Sequence, residues 1–527
     1  MANNGKDRSI LQKIARRVMV EKGLYPDFST GALAELDKLQ KPALLINPEF
    51  RDLTAVPWCS IDNDDSLDLD QLTYAKTQGG NFTAFVAIAN VDSLVKKHSL
   101  LDEHACTNTT SVYTVAETFP MLPEKLSNGL TSLNFEEDRP AIIIEMNLRP
   151  NGSLYDSRVY EALVRNHAKL TYNRVSAWLT GNAPVLREIS AVKGLEENLR
   201  LQDTIAQKLK KLRHERGALE LQTIETRPVF LGDKLTELQA EGKNRAKDII
   251  EDFMIAANGV TARFLAQRKF PSIRRVVRTP KRWDRIVALA AEKHFSLPAI
   301  PDPKALDKFL LAQHASDPLT FPDLSLSIIK LMGAGEYVVE MPNSPLVPHD
   351  VNTGYSMRPG DSIGHFGLAV KDYAHSTAPN RRFPDLITQR LLKAAVAGNP
   401  LPYTKEELKL LASHCTEQED AAKKVERQVE KSAAALLLEK RVGESFEAVV
   451  TGVSDKGTWV RLLNPPIEGK LVSGSGGLDI GNQVKVRLER TDVWRGFIDF
   501  RAGTAKPKQW QKKRWNKNRR KFNYKRR

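Results

Sequence analysis

Apolar residues recur at helical spacing near the start of the chain. Ile10, Leu11, Ile14, Ala15 and Val18 line one face of residues 8–22, with Lys13, Arg16 and Arg17 opposite. That spacing predicts an amphipathic helix. Ser29 has the chemistry of an N-cap and predicts a second helix to about Gln40. The pair reads as a small helical cap or as half of a helix-turn-helix. From Pro48 to about Gly398 nothing resembles a linker. Residues 82–91 and 141–148 are rich in apolar and β-branched side chains and predict strands. Helical patterning prevails later, over 163–179, 246–269 and 385–397. Residues 50–400 therefore read as one large α+β domain, behind a helical N-terminal region over 1–49. A helical connector is predicted over 401–442, ending at Gly443. Beyond it the period drops to two in five short runs with glycine turns. Residues 443–503 thus predict a small OB-type β-barrel.

Composition adds exclusions. With 527 residues, 41% of them hydrophobic, the chain can bury several cores and is neither a disordered nor a fibrous protein. No apolar run is long enough for a transmembrane helix, and the opening MANNGKDRSI lacks the apolar core of a secretory signal. Cys59, Cys106 and Cys415 show no CxxC spacing, so the reducing cytoplasm is the expected compartment. The net charge of +15 is uneven: residues 506–527 hold twelve Lys or Arg and no acid. This tail, over 504–527, cannot bury a core and is expected to be disordered when free. Trp510, Trp515, Phe522 and Tyr524 are interleaved with its charges. Aromatics in a basic run can stack on unpaired bases, which favours nucleic acid over an anionic membrane as the partner.

The sharpest chemical feature is CSIDNDDSLDLDQL, residues 59–72, with Asp62, Asp64, Asp65, Asp68 and Asp70. Such a cluster repels itself unless cations or hydrogen-bond donors neutralise it. Hard carboxylate oxygens at this density suit Mg²⁺ or Mn²⁺, which can activate water for phosphodiester hydrolysis. An EF-hand read from Asp62 would need Gly and Glu where Leu67 and Thr73 stand. The spacing leaves a catalytic metal cluster and a solvated acidic loop both open.

Several stretches together resemble the RNB domain of the ribonuclease II family. They are residues 60–72, VAIANV at 86–91, residues 110–139 with PMLPEKLS, NHAKLTY at 166–172, RGAL at 216–219, IEDFMIAAN at 250–258, and HFGLAVKDYAHSTAPNRRFPDLITQR at 365–390. The following barrel resembles the ribosomal S-one type of OB fold. The resemblance implies a hydrolytic 3′→5′ exoribonuclease that threads single-stranded RNA and releases nucleoside 5′-monophosphates with Mg²⁺, Mn²⁺ being a substitute. By position, Asp62, Asp68 and Asp70 would hold metal and orient water. Tyr113 would stack on RNA, and Tyr172 would lie by the scissile phosphate. Glu251 would position the terminal nucleotides, unless it simply pairs with Lys247 on a helix surface. Arg381, in a turn stiffened by Pro379 and Pro384, would grip the phosphate.

The chain also departs from the pattern. Gln71 stands where the family has a fourth metal-binding aspartate, which either weakens metal affinity or shifts ligation to Asp64 or Asp65. Leu221 stands where many members have a base-stacking Phe. Only about 50 residues precede the domain, a short form without the usual cold-shock domains. The expected partner is single-stranded RNA and the expected state a monomer. Two other readings remain: a catalytically silent RNA-binding protein, motivated by Gln71, and a DNA-binding regulator using the N-terminal helices.

Overall fold

The computed structural model describes residues 7–43, 50–223, 226–240, 244–318, 320–342, 364–478 and 480–502. The basic tail therefore lies outside the described residues. The chain divides into two compact units at Ala433/Ala434.

The first unit opens with helices α1 (Asp7–Glu21) and α2 (Thr30–Lys38). Leu11, Ile14, Ala15, Val18 and Met19 form the buried face of α1. Ser29 caps α2 by accepting from Ala32 N–H. Strands β1 (Arg51–Asp52), β2 (Trp58–Asp62), β3 (Gln71–Gln78) and β4 (Asn81–Ala89) follow. Gly79 and Gly80 turn β3 into β4 at φ +57° and +81°, the left-handed geometry that a two-residue hairpin requires. Helix α3 (Leu100–Asn108) leads to the small hairpin β5 (Val112–Tyr113) and β6 (Thr118–Phe119). Strands β7 (Asp138–Leu148) and β8 (Leu154–Thr171) complete a six-stranded sheet in the order β1-β8-β2-β3-β4-β7. Because β8 pairs with β7 as well, the sheet closes on itself.

Residues 163–179 were expected to be one helix, and the structure corrects this. The strand β8 continues to Thr171, and only α4 (Tyr172–Leu179) is helical. Inward positions are Ala162, Val164, Asn166, Ala168 and Leu170, alternating with more exposed residues. Small and polar side chains on the inward face conceal the period of two. The strand is fixed by backbone pairing on both sides: Leu163 faces Asp52 and Pro140.

Helices α5 (Arg187–Ser190), α6 (Leu195–Arg216), the hairpin β9 (Thr226–Leu231) and β10 (Lys234–Ala240), and α7 (Arg245–Gln267) come next. The main core joins Val86, Ile88, Ile142 and Ile144 of the sheet to Phe253 and Ala257 of α7. A second cluster packs Cys59, Ile61, Ala168 and Leu170 against Val175, Trp178 and Ile250. Four consecutive residues of β2, Trp58–Ile61, are buried, so this strand is covered on both faces and polar side chains can meet only at its end. Strand β11 (Ser272–Val276) pairs with β12 (Glu336–Glu340) around three helices: α8 (Trp283–Glu292), α9 (Pro303–Ser316) and α10 (Phe321–Met332). Trp283, Phe309 and Phe321 fill that helical cluster. Helix α11 (Phe383–Ala397) adds Leu386 and Leu391 to the main core, and α12 runs from Lys405 to Leu438.

In the second unit, β13 (Ser445–Ser454), β14 (Gly457–Leu462), β15 (Glu468–Ser473), β16 (Gln483–Asp492) and β17 (Phe497–Ala502) form a closed barrel. Its interior includes Val450, Val460, Leu488 and Phe500. Fold class is α+β with a C-terminal OB-type barrel, as the patterning predicts. Among the described residues no helix is long and apolar enough to cross a membrane.

Candidate active site

Asp62 closes β2, opposite Thr171 at the end of β8. The next residue, Tyr172, begins α4, so sheet pairing alone brings Tyr172 beside Asp62. Burial and the Asp62 charge both raise the Tyr172 hydroxyl pKa, against the opposing pull of Arg381. Lys247 Nζ lies 5.9 Å from the centre of the Tyr172 ring. Oδ1 of Asp62 accepts from Asn63 N–H at 2.8 Å and from Ser66 Oγ at 2.9 Å, which folds the acidic segment into a tight loop. Lys169 Nζ closes that loop by donating to Ser66 O at 2.8 Å.

The loop returns to the sheet through Leu69, whose N–H donates to Ser132 Oγ at 3.0 Å. Ala89 N–H donates to Asp70 O at 2.9 Å, so Asp70 enters the ladder just before β3. Its carboxylate is 1% exposed. Oδ1 accepts from Asn380 N–H at 2.9 Å, and Oδ2 accepts from Arg381 Nε at 3.1 Å. Burial pushes the Asp70 carboxyl up to about 7, with Asp68 adding to the shift and Arg381 opposing it. Asp68 is also raised, by burial first and by Asp62. The acids around Arg381 outweigh its own burial and strengthen its hold on its proton.

Tyr113 reaches the same place from β5. Its hydroxyl donates to Asp68 Oδ2 at 3.4 Å, and the side chain is 46% exposed. Asp62, Asp68, Asp70, Arg381, Tyr172 and Tyr113 thus meet where β2, β3, β5 and the turn before α11 converge. The turn is defined by Arg381 and Arg382 N–H donating to Ala378 O, after which Phe383 and Pro384 open α11. Thr110 Oγ1 and Ser111 N–H both donate to Arg381 O, at 3.1 and 3.0 Å.

The other sequence candidates take no part in these contacts. Gln71 is the buried first residue of β3. Asp64 is exposed and accepts from Asn173 Nδ2 at 3.0 Å. Glu251 is exposed on α7, with Oε1 3.9 Å from Arg213 Nη2. Leu221 is half-buried against the α8–α10 cluster. Its neighbours pin the segment there: Glu220 N–H donates to Asp307 Oδ1 at 3.0 Å and Gln222 N–H to Ser325 Oγ at 3.2 Å.

Two contributors escaped the sequence reading. Asn380 supplies a backbone donor to Asp70, and its Oδ1 accepts from Thr131 Oγ1 at 2.6 Å. Glu426 on α12 accepts from Tyr113 N–H at 2.9 Å and so holds the aromatic residue in position. Asn380 sits inside the quoted 365–390 block, whereas nothing local marks Glu426. Among the described residues, no three His, Cys, Asp or Glu side chains stand as a formed metal site. The donor chemistry nonetheless fits a divalent cation: three oxygen-bearing acids repel each other, and two are held above their usual titration range.

Residues 50–398 match the RNB domain, and residues 444–503 match the RNase II-type exonuclease C-terminal S1 domain. Ribonuclease R of Escherichia coli (strain K12) is 31% identical over 486 residues, covering 85% of this chain and 57% of that protein. The chain spans about half the length of the curated relatives it matches. Mycoplasma genitalium RNase R, solved in complex with ribose methylated single-stranded RNA, superposes with a TM-score of 0.81 at 22% identity, covering 94% of this chain and 78% of that one. Yeast Ssd1, a pseudonuclease, gives a TM-score of 0.66 at 15% identity, covering 90% and 56%. Likeness at these identities speaks to the fold alone.

Proposed function

Since this chain belongs to the RNB-domain ribonuclease family, we propose that it is a hydrolytic 3′→5′ exoribonuclease that degrades single-stranded RNA to nucleoside 5′-monophosphates. The observation that carries this reading is the contact between Arg381 and the buried Asp70, beside Asp68 and Tyr113. A fixed cation next to clustered carboxylates is what phosphodiester hydrolysis asks of a protein: negative groups to order water, and a positive group to meet the charge that develops on phosphate.

Asp62, Asp68 and Asp70, with the Gln71 amide as a neutral fourth donor, would hold Mg²⁺. When bound, the ion supplies Lewis acidity and offsets phosphate charge. The carboxylates orient the attacking water. Arg381 steadies the phosphate and the departing 3′ oxygen with a delocalised cation. Tyr113 offers a face to the terminal bases, and Tyr172 a hydroxyl near the phosphate. Glu251 would position the terminal nucleotides, and Leu221 would give apolar contact without a stacking face. On the barrel, Trp494 and Phe497 are 47% and 52% exposed and offer stacking faces to unpaired bases.

Gln71 also favours a second reading, a catalytically inactive RNA-binding protein, because an amide brings neither charge nor basicity to the metal site. One experiment separates the two. Purified protein is incubated with 5′-labelled poly(A) and Mg²⁺. A ladder ending in a short core is the outcome for the enzyme; retention of intact RNA without products would leave only the binding protein.

A further inference from the structure

A cavity of about 650 Å³ lies between α6, α7, the β7–β8 turn and residues 369–372. None of its lining residues belongs to the carboxylate cluster; its near rim reaches Arg213, 3.9 Å from Glu251, and its far wall lies well beyond. Ala141 of β7 pairs with Ala89 at the Asp70 end of the sheet, whereas Leu148, which lines the cavity, pairs with Phe82. Seven residues at ~3.3 Å each separate the two ends by roughly 23 Å.

The walls of this cavity are chemically divided. The half-buried Leu154, Leu209 and Leu212 make an apolar floor, while Arg216, Arg263, Lys304 and Lys371 bring positive charge. Two acids also line it, and both are engaged. Asp252 accepts from Arg213 Nε at 3.1 Å, and Asp372 Oδ1 lies 3.6 Å from Arg274 Nη1. Among the described residues, the side chains of Arg216, Arg263, Lys304 and Lys371 have no hydrogen bond or ion pair. Arg263 is half-buried on α7, and burial lowers its pKa, with Arg274 and Arg216 adding like-charge repulsion against the pull of Asp372. A guanidinium held partly out of water among other cations, with one nearby carboxylate that it shares with Arg274, is under-compensated and favours an added anion.

We infer that this cavity binds a nucleoside monophosphate, with the phosphate among Arg216, Arg263, Lys304 and Lys371 and the base against Leu154, Leu209 and Leu212. Pockets of ~300–1,000 Å³ hold small organic ligands, and a bare phosphate would leave most of this one unfilled. Several cations including guanidinium forks suit a phosphate dianion better than a single carboxylate. The inference stands on this cavity and not on the catalytic reading, because binding here is measured without turnover.

The test is calorimetric titration of the full chain with AMP and, separately, with inorganic phosphate, in EDTA so that no metal recruits ligand to the carboxylate cluster. AMP should bind in the wild type and in Arg381→Ala alike. Arg263→Met, which keeps most of the side-chain volume, and Lys371→Glu, at an exposed position, should each weaken AMP about tenfold, the worth of one charge-assisted contact. Phosphate alone should bind more weakly than AMP. Absence of AMP binding at millimolar concentration overturns the inference. So does binding that survives both cavity variants but is lost in Arg381→Ala, since the ligand then sits at the catalytic cluster. Equal affinity for phosphate and AMP removes the nucleoside part, because the apolar floor then contributes nothing.

Discussion

Arg381 Nε donates to Asp70 Oδ2 at 3.1 Å, joining residues 311 apart in the chain. The carboxylate is 1% exposed, whereas the Arg381 side chain is 40% exposed. One partner is locked in the sheet while the other faces the space where a phosphate would lie. Substituting either should therefore have different consequences.

Asp70→Asn keeps the shape and removes the charge. RNA binding should persist and hydrolysis should fall by roughly 10³ or more, as expected when a preorganised charge is lost from a site. Gel-based turnover and filter binding on the same preparation read both. Near-parental turnover at saturating Mg²⁺ would dismiss Asp70 as a catalytic group.

Arg381→Ala should reduce turnover by ~10²–10³ while weakening RNA binding less than tenfold, because charge stabilisation is lost chiefly in the transition state. Arg381→Lys should recover only part, since a point charge replaces a planar fork. Equal losses in turnover and binding would make Arg381 an ordinary grip residue.

Gln71→Asp restores a charged oxygen at the start of β3. Activity should survive, with half-maximal turnover at a lower Mg²⁺ concentration. The readout is the Mg²⁺ dependence of product formation. Loss of activity would instead give the amide a specific role.

Deleting residues 504–527 removes twelve positive charges. If about five meet phosphates, the slope of log affinity against log salt should flatten by roughly 3–4, at ~0.7 per single-strand contact. Long RNA should lose affinity most, and short oligonucleotides should be cleaved nearly as before. An unchanged salt slope for long RNA would rule out the tail as an RNA anchor.

His104 gives a stability prediction. Its ring, on α3, lies 4.2 Å from that of Phe28, just before the Ser29 cap of α2, and burial pushes its pKa down to about 4. The unfolded chain takes up this proton near pH 6.5, before the folded protein does. Stability should thus be full above pH 6.5 and fall as pH drops from about 6.5 towards 4, by at most about 3 kcal/mol from this group. His104→Gln should flatten that part of a urea-denaturation profile against pH. The same slope in the variant would exclude His104 as its source.

Much of the architecture was legible in the chain. Both N-terminal helices, the Ser29 cap, the strands around residues 82–91 and 141–148, the helices α7, α11 and α12, and the five barrel strands all follow local periodicity. The acidic cluster was legible as a candidate site, and the structure places Asp68 and Asp70 of it beside Arg381. The failure at β8 is instructive: Ala162, Asn166 and Ala168 point inward, and no apolar alternation reveals a strand whose pairing partners are remote.

What the sequence determined by itself was the inventory: which segments are periodic, where the carboxylates lie, and that the basic charge gathers at one end. Tertiary structure alone decided which of these groups meet. Asp70 acquires its raised titration range from burial, which no neighbour in sequence reports. Tyr172 comes beside Asp62 only because β8 runs parallel to β2. Arg381, Asn380 and Glu426 reach the site across more than 300 residues of chain. Contacts of that kind depend on sheet register and helix packing, which the local alternation of polar and apolar side chains does not encode.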